Sequence, residues 1–261
     1  MDKSETNGTL LGPRPDQGWI VNEREVDMTR PPRPVRRMAV AAEPQDIVID
    51  AGKAAFLVVD MQNDFCTPGG WMDACGIDIS PNRAPIEPIA RTVAACRGHG
   101  VPVVWVNWGV RKDLLNISPS LRHAHNPRGN APGLAEPVPG TRSEILREGS
   151  WGAEVVDEIN PGEADHHVTK HRFSGFWDTD LDAILRNLGV RTLLIGGVNL
   201  DQCVMTTLED ASFLGYDTIL VRDCAATTSP DYCTRATLYN IKLLFGFVTE
   251  SDAVIRGLEA A

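Results

Sequence analysis

The 261-residue chain reads as a single doubly wound α/β domain with a mostly parallel sheet, preceded by an extended proline-rich arm. Three observations lead there. From residue 54 onward, short apolar β-branched runs alternate with amphipathic stretches, the rhythm of a parallel sheet with helices on both faces. Glycines stand where those amphipathic stretches should stop. The first 45 residues hold six prolines, Pro13, Pro15, Pro31, Pro32, Pro34 and Pro44, too dense for helix or interior strand.

Taken in order, the arm of residues 1–45 also carries a basic cluster at Arg30, Arg33, Arg36 and Arg37. It reads either as a strap laid on a neighbouring subunit or as a free tail, with the domain proper spanning residues 46–261. Strands are expected at 54–60 (AAFLVVD), 101–107 (VPVVWVN), 167–170 (HVTK), 192–197 (TLLIGG) and 217–222 (DTILVR), with a weaker sixth at 246–249. Several are continuously apolar, as suits strands covered on both faces. Helices are expected at 84–98, 152–159, 179–188, 202–214 and 230–245. In the fourth, Val204, Leu208, Ala211 and Leu214 recur every three or four residues and line one face. Gly100, Gly189 and Gly215 occupy the positions that end helices in left-handed backbone. The stretch 108–150, rich in Pro and Gly, is too long for a bare connection, and loops of that size are commonly functional.

Composition narrows the function. Twenty-five basic against thirty-five acidic residues give a net charge of −10, the wrong sign for nucleic acid or an anionic membrane surface. No apolar run is long enough to span a bilayer. The first residues, MDKSETNGTLLGPRPDQG, lack the apolar centre of a secretory signal. A cytoplasmic protein is therefore expected, with Cys66, Cys75, Cys96, Cys203, Cys224 and Cys233 as thiols. No CxxC pair points to a zinc cage.

In doubly wound sheets, ligands bind beyond the carboxyl ends of the strands. Three expected strands deliver chemistry there. The first ends at Asp60 within VVDMQNDF, a carboxylate emerging from an apolar strand and able to take a proton. The third ends at Lys170, a cation that can hold an acid or lower a thiol pKa. The fourth runs through GGVNLDQCV into a helix, so Cys203 sits in the first turn, where backbone N–H groups and the positive end of the helix dipole favour a thiolate or an oxyanion. Singly, each has a plain alternative: a turn-capping Asp, a solvated Lys, an inert Cys. Together they supply a base, a cation and a nucleophile, the minimum for covalent acyl transfer. The other five cysteines read as inert.

With these motifs in view, the sequence resembles the isochorismatase-like cysteine hydrolases over roughly residues 46–256, on VVDMQNDF, VTKHRFSGF and GGVNLDQCV followed by a helix. Within that superfamily it is most similar to the ureidoacrylate amidohydrolases and the biuret and triuret hydrolases, through DFCTPGGWMD, APIEPIA, REGSWGAEVVDEINPGEAD, KHRFSGFWDTDLDAILRNLGVRTLLIGG and LYNIKLLFGFVTES. The resemblance implies a three-layer α/β/α fold, a homo-oligomer (dimer or tetramer) and a catalytic triad falling on Asp60, Lys170 and Cys203. It places the oxyanion hole on the backbone N–H groups of Asn199 and Cys203, with a cis peptide near Val198–Asn199. Where the family reads Gly-Val-Ala-Thr-Asn-x-Cys, this chain has Asn199, Leu200 and Asp201, which opens the choice of substrate.

The metal-dependent branch of that superfamily needs an Asp-x-His with a further His; Asp165-His166-His167 is the one Asp-x-His triplet here, and it leads into the third expected strand. His99, His123, His125, His166, His167 and His171 read as solvated or capping residues, and neither metal nor other cofactor is expected. The implied activity is hydrolysis of a small linear amide or ureide through an acyl-cysteine, without nucleic-acid or membrane partners. Phe65, Trp108, Phe176 and Trp177 are candidate pocket walls, Asn107, Asn199 and Tyr239 candidate hydrogen-bonding groups, and Arg172 either a carboxylate receptor or a structural residue. Vinyl ether hydrolysis on the same fold, a non-catalytic interaction domain and a redox-sensing thiol are the competing readings.

Overall fold

The computed structural model describes residues 8–261, so the first seven residues of the expected arm lie outside it. Strands β1 (Thr9–Leu11), β2 (Trp19–Val21) and β3 (Val26–Asp27) form a small antiparallel sheet. Strands β4 (Arg37–Val40) and β5 (Ile47–Asp50) form an antiparallel hairpin. The domain boundary expected at 45/46 thus falls inside a hairpin. Met38 and Val40 are buried in the main core, and Glu43 bridges to Val248. The proline-free run RMAV alternates in burial. Its two core-facing side chains, not the prolines on either side, decide its fate.

The main sheet has six strands: β6 (Ala54–Val59), β7 (Val103–Trp108), β8 (His166–Lys170), β9 (Thr192–Val198), β10 (Asp217–Ala226) and β11 (Phe247–Thr249). Their order is β11-β10-β9-β6-β7-β8 and every pairing is parallel. All six residues of β6 and all seven of β9 are buried, which explains their unbroken apolar character. Helix α4 (Ile86–Gly98) and helix α9 (Ser251–Glu259) pack together and against β10 on one side. Helix α7 (Met205–Phe213) packs on β10 from the other side; α6 (Leu181–Asn187) lies between β8 and β9, and α8 (Asp231–Asn240) between β10 and β11. Four short helices, α1 (Asn63–Cys66), α2 (Trp71–Ala74), α3 (Ser80–Arg83) and α5 (Pro119–His125), complete the set. Gly100, Gly189 and Gly215 all have positive φ, as expected of residues that end helices.

Two expectations change. The stretch 152–159 is not a helix beyond a short turn at Trp151–Ala153. Its backbone instead pairs with the end of β6: Asn63 N–H donates to Glu154 O and Val156 N–H to Met61 O, both at 2.9 Å. Tertiary hydrogen bonding overrides a helical pattern there. Conversely α9, which the sequence analysis did not assign, buries Ala253, Val254, Gly257 and Leu258, a one-sided spacing that was legible.

The topology positions the site. The chain moves outward from β6 through β7 to β8, then crosses back to β9 on the opposite side of β6. The carboxyl ends of β6 and β9 therefore flank the point where strand order reverses, where such folds open a crevice.

Candidate active site

Asp60 directly follows β6, Lys170 ends β8, and Cys203 lies just beyond β9. The backbone at Asp60 has φ 53°, turning the chain away from the strand. Lys170 Nζ meets Asp60 Oδ2 at 2.8 Å, with both side chains wholly buried. Lys170 Nζ also donates to Arg172 O at 3.2 Å and sits 4.2 Å from the Trp108 ring centre, a cation–π contact. Trp108 touches all three groups: its backbone N–H donates to Asp60 Oδ1 at 3.1 Å and its indole N–H to Cys203 Sγ at 3.4 Å.

Gly196 and Gly197 lead into the turn that carries Cys203. Gly197 has φ 124°, and any Cβ there would fall on the Val59 carbonyl, so only glycine lets β9 approach β6 this closely. The Val198–Asn199 peptide is cis. Residues Leu200–Val204 then form one π-helical turn before α7 begins, with Val204 N–H bonded to Asn199 O at 3.2 Å. Single π turns inside helices often mark functional positions. Among the described residues, the amide N–H of Asn199, which lies outside helix and strand, donates to no backbone carbonyl. The Asn199 side chain is committed elsewhere, its Oδ1 accepting from Thr228 N–H at 3.4 Å.

Burial dominates the electrostatics. It raises the Asp60 carboxyl above its ordinary range, and the nearby Lys170 ammonium opposes it. The Cys203 thiol is pushed up to about 12, again by burial first, with Lys170 pulling the other way. This corrects the expectation of a thiolate favoured by the helix terminus: desolvation of the anion outweighs the dipole and the ammonium. The resting sulfur is a thiol beside an unusually basic carboxylate, an arrangement suited to proton transfer during reaction. Trp108→Phe keeps a ring over Lys170 and deletes the donor to sulfur. A hydrogen bond to an ion is worth about 1.5–3 kcal/mol, so iodoacetamide inactivation should slow by roughly 10- to 100-fold; an unchanged rate would mean the 3.4 Å contact does nothing for the anion.

The rest of VVDMQNDF holds the site's cover. Gln62 Nε2 donates to Trp108 O at 2.8 Å and to Ala153 O at 2.7 Å, while its Oε1 accepts from Trp108 N–H at 2.8 Å. Asp64 is buried and accepts from Ser143 Oγ at 2.5 Å, Leu146 N–H at 2.7 Å and Trp71 N–H at 3.1 Å. These contacts pin the long 109–150 segment over the strand ends. That segment delivers His125, which stacks on Trp71 and Phe173 and meets the Trp108 ring edge-on. Trp71 in turn packs on Phe65 at 6.1 Å.

Several candidate contacts fall elsewhere. Asn107 lies one residue from Trp108 on β7 and so faces the opposite side of the sheet. There it lines a cavity of about 380 Å³ with His167 and Thr169, which Trp108 also borders. Phe176 packs against Tyr216 at 6.0 Å; the aromatic beside Trp108 is Phe173. Trp177 and Tyr239 are each 63% exposed, and the Trp177 indole N–H donates to Asp210 at 2.8 Å. Arg172 is held by Asp178 at 2.9 Å and donates to Asn116 O at 2.7 Å and His171 O at 2.9 Å, which makes it a brace between two loops. Apolar and aromatic residues in loops carry no period, so spacing could not separate Phe173 from Phe176. His125, expected to be solvated or capping, is part of the aromatic cover. Of the five cysteines expected to be inert, Cys66, Cys96 and Cys224 are buried while Cys75 is exposed.

Among the described residues, no group of three or more His, Cys, Asp or Glu side chains converges as a metal site, and no helix is long and apolar enough to cross a membrane. The isochorismatase domain family model matches residues 54–253. The chain is similar to the crystal structure of a cysteine hydrolase from Pseudomonas syringae pv. phaseolicola 1448A, at 28% identity and TM-score 0.69 over 81% of this chain and 95% of that one. It is similar to an isochorismatase family protein from Desulfovibrio vulgaris at 27% identity and TM-score 0.64, covering 79% and 98% of the two chains. N-carbamoylsarcosine amidase from Thermoplasma acidophilum matches at 29% identity and TM-score 0.57, covering 77% and 97%. With its parallel sheet flanked by helices and a family match across 54–253, the chain belongs to the isochorismatase family of hydrolases.

Proposed function

We propose that the protein is a cysteine amidohydrolase that cleaves a C–N bond of a small linear amide or ureide through an acyl-cysteine, with Asp60, Lys170 and Cys203 as its catalytic residues. One observation carries this reading: three strand ends, far apart in sequence, converge on a buried carboxylate–ammonium pair that shares the Trp108 side of the site with a thiol. The similarity to an N-carbamoylsarcosine amidase supports the ureide end of the substrate range.

The steps follow from the geometry. Asp60 takes the proton from Cys203 Sγ while Lys170 holds the carboxylate in place. Sulfur attacks the substrate carbonyl, forming a C–S bond, and the carbonyl electron pair moves to oxygen. The N–H groups of Asn199 and Cys203 receive that oxyanion, at roughly 3 kcal/mol per donor. Collapse expels the amine or ammonia, which leaves with the proton from Asp60. A water molecule, deprotonated by the same carboxylate, then hydrolyses the thioester and returns the thiol. A carbamate product would go on to release ammonia and carbon dioxide unaided.

The decisive assay offers ureidoacrylate, biuret, triuret, N-carbamoyl amino acids and simple amides, and measures ammonia. Release from at least one ureide is expected, abolished by thiol alkylation and insensitive to a chelator. Activity that survives full alkylation of Cys203 would defeat the acyl-cysteine route.

A further inference from the structure

His125 has a role that the triad chemistry leaves unused. It is the last residue of α5, within the 109–150 segment that covers the strand ends. Its Nδ1 lies 2.8 Å from Leu121 O. A carbonyl oxygen only accepts, so Nδ1 carries the proton and Nε2 presents a lone pair. No described residue hydrogen-bonds to Nε2.

The ring is held in place by its neighbours. It stacks on Trp71 with centroids 5.4 Å apart and planes 29° apart, and on Phe173 at 6.1 Å and 14°. It meets Trp108 edge-on at 5.5 Å and 75°. Trp108 is the residue whose indole touches Cys203 Sγ and whose face covers Lys170 Nζ. The imidazole is thus one aromatic layer from the nucleophile. Burial, and then the Lys170 charge, disfavour the imidazolium, which keeps Nε2 an acceptor and not a donor. An acceptor set among Trp71, Trp108 and Phe173 is an isolated polar feature in an aromatic cover, and such a group discriminates strongly when its partner is missing.

We propose that His125 is a specificity-determining residue: its Nε2 accepts a hydrogen bond from a substrate N–H, selecting amides and ureides with a free N–H over their N-alkylated analogues. This rests on the amidohydrolase reading and adds to it the feature of the substrate that is recognised. The side chain needed is an acceptor of fixed orientation, which the Leu121 carbonyl and the two stacked rings supply.

The test compares kcat/KM for an N-carbamoyl amino acid and its N,N′,N′-trimethyl analogue, which keeps no N–H, in the wild-type protein, His125→Phe and His125→Gln. The wild type should prefer the free N–H compound by about 30-fold or more, a loss in the range expected when an oriented acceptor in a binding site loses its donor. His125→Phe keeps the stacking but lacks the acceptor, so the preference should fall below about 3-fold, through a raised KM with kcat little changed. His125→Gln, whose side-chain carbonyl accepts, should restore part of it. A merely structural role would depress both substrates alike and leave the ratio intact, and that result overturns the inference. Should the phenylalanine variant fail to fold, His125→Met takes its place with the same two outcomes. A wild-type protein that hydrolyses neither compound, with no ammonia or methylated amine released, overturns the amidohydrolase reading and this inference together, whereas hydrolysis with an unmoved ratio removes only the role of His125.

Discussion

Cys203→Ser is expected to fold like the wild-type protein and to lose at least about 10³ in kcat toward any amide it hydrolyses. The fold should persist because the change is nearly isosteric, and a hydroxyl still accepts from the Trp108 indole N–H that now meets sulfur at 3.4 Å. Turnover should not persist. Burial already pushes the thiol up to about 12, and Asp60, its own carboxyl raised by burial, has to take that proton. An alkoxide in the same desolvated turn is harder to form by several further powers of ten. Thermal denaturation should show matching midpoints, and mass spectrometry of acid-quenched reactions should find an acyl adduct on Cys203 only in the wild type. A serine variant that releases ammonia at near wild-type rate would remove sulfur from the chemistry and favour vinyl ether cleavage, which needs no covalent intermediate.

The parts of the molecule that were legible in sequence share one physical trait: their side chains answer to a repeating environment. β6 and β9 are apolar at every position because both faces of a parallel sheet are covered, so their limits emerge to within a residue or two. The three polar residues at strand ends stand out against that background, which is why Asp60, Lys170 and Cys203 can be singled out as candidates without coordinates. The cover is different. Trp71 and His125 come from two short helices and Phe173 from a loop, too short to show a period, and they meet where Asp64 fastens the 109–150 segment and Gln62 the residues on either side of it, Trp108 and Ala153, to the end of β6. Their partnership is a tertiary fact. The direction of the thiol shift was likewise out of reach. A sequence displays the helix terminus and the lysine, both of which favour a thiolate, but not the burial that outweighs them. The hairpin of β4 and β5 was hidden for a related reason: the prolines around Arg37–Val40 suggest an arm, whereas the core contacts of Met38 and Val40 are contributed by a distant part of the chain.

Removing the ammonium should be more damaging to the fold than removing the sulfur. Lys170→Met is expected to cost about 3–5 kcal/mol at neutral pH, the usual consequence of stranding one member of a buried ion pair. Asp60 is wholly buried and its salt-bridge partner is Lys170 at 2.8 Å, leaving only hydrogen bonds such as that from the Trp108 backbone N–H. The pH dependence gives the signature. In the wild type, Lys170 opposes the upward push of burial on Asp60. Without it, the folded-state pKa of Asp60 rises further above the unfolded value of about 3.9. A carboxyl whose folded pKa is raised favours the native state most when protonated, below its unfolded pKa, and loses that contribution as pH rises through the folded value. The deficit of Lys170→Met relative to wild type should therefore be smallest near pH 4 and largest above neutrality. Urea denaturation at pH 4.5 and 7.5 reads both. Adding Asp60→Asn should recover much of the loss at pH 7.5, because a neutral amide leaves no uncompensated charge, while activity stays absent from the double variant. Equal deficits at the two pH values, with no recovery on neutralising Asp60, would mean that Lys170 stabilises the protein through packing alone and that its ammonium has no hold on the carboxylate.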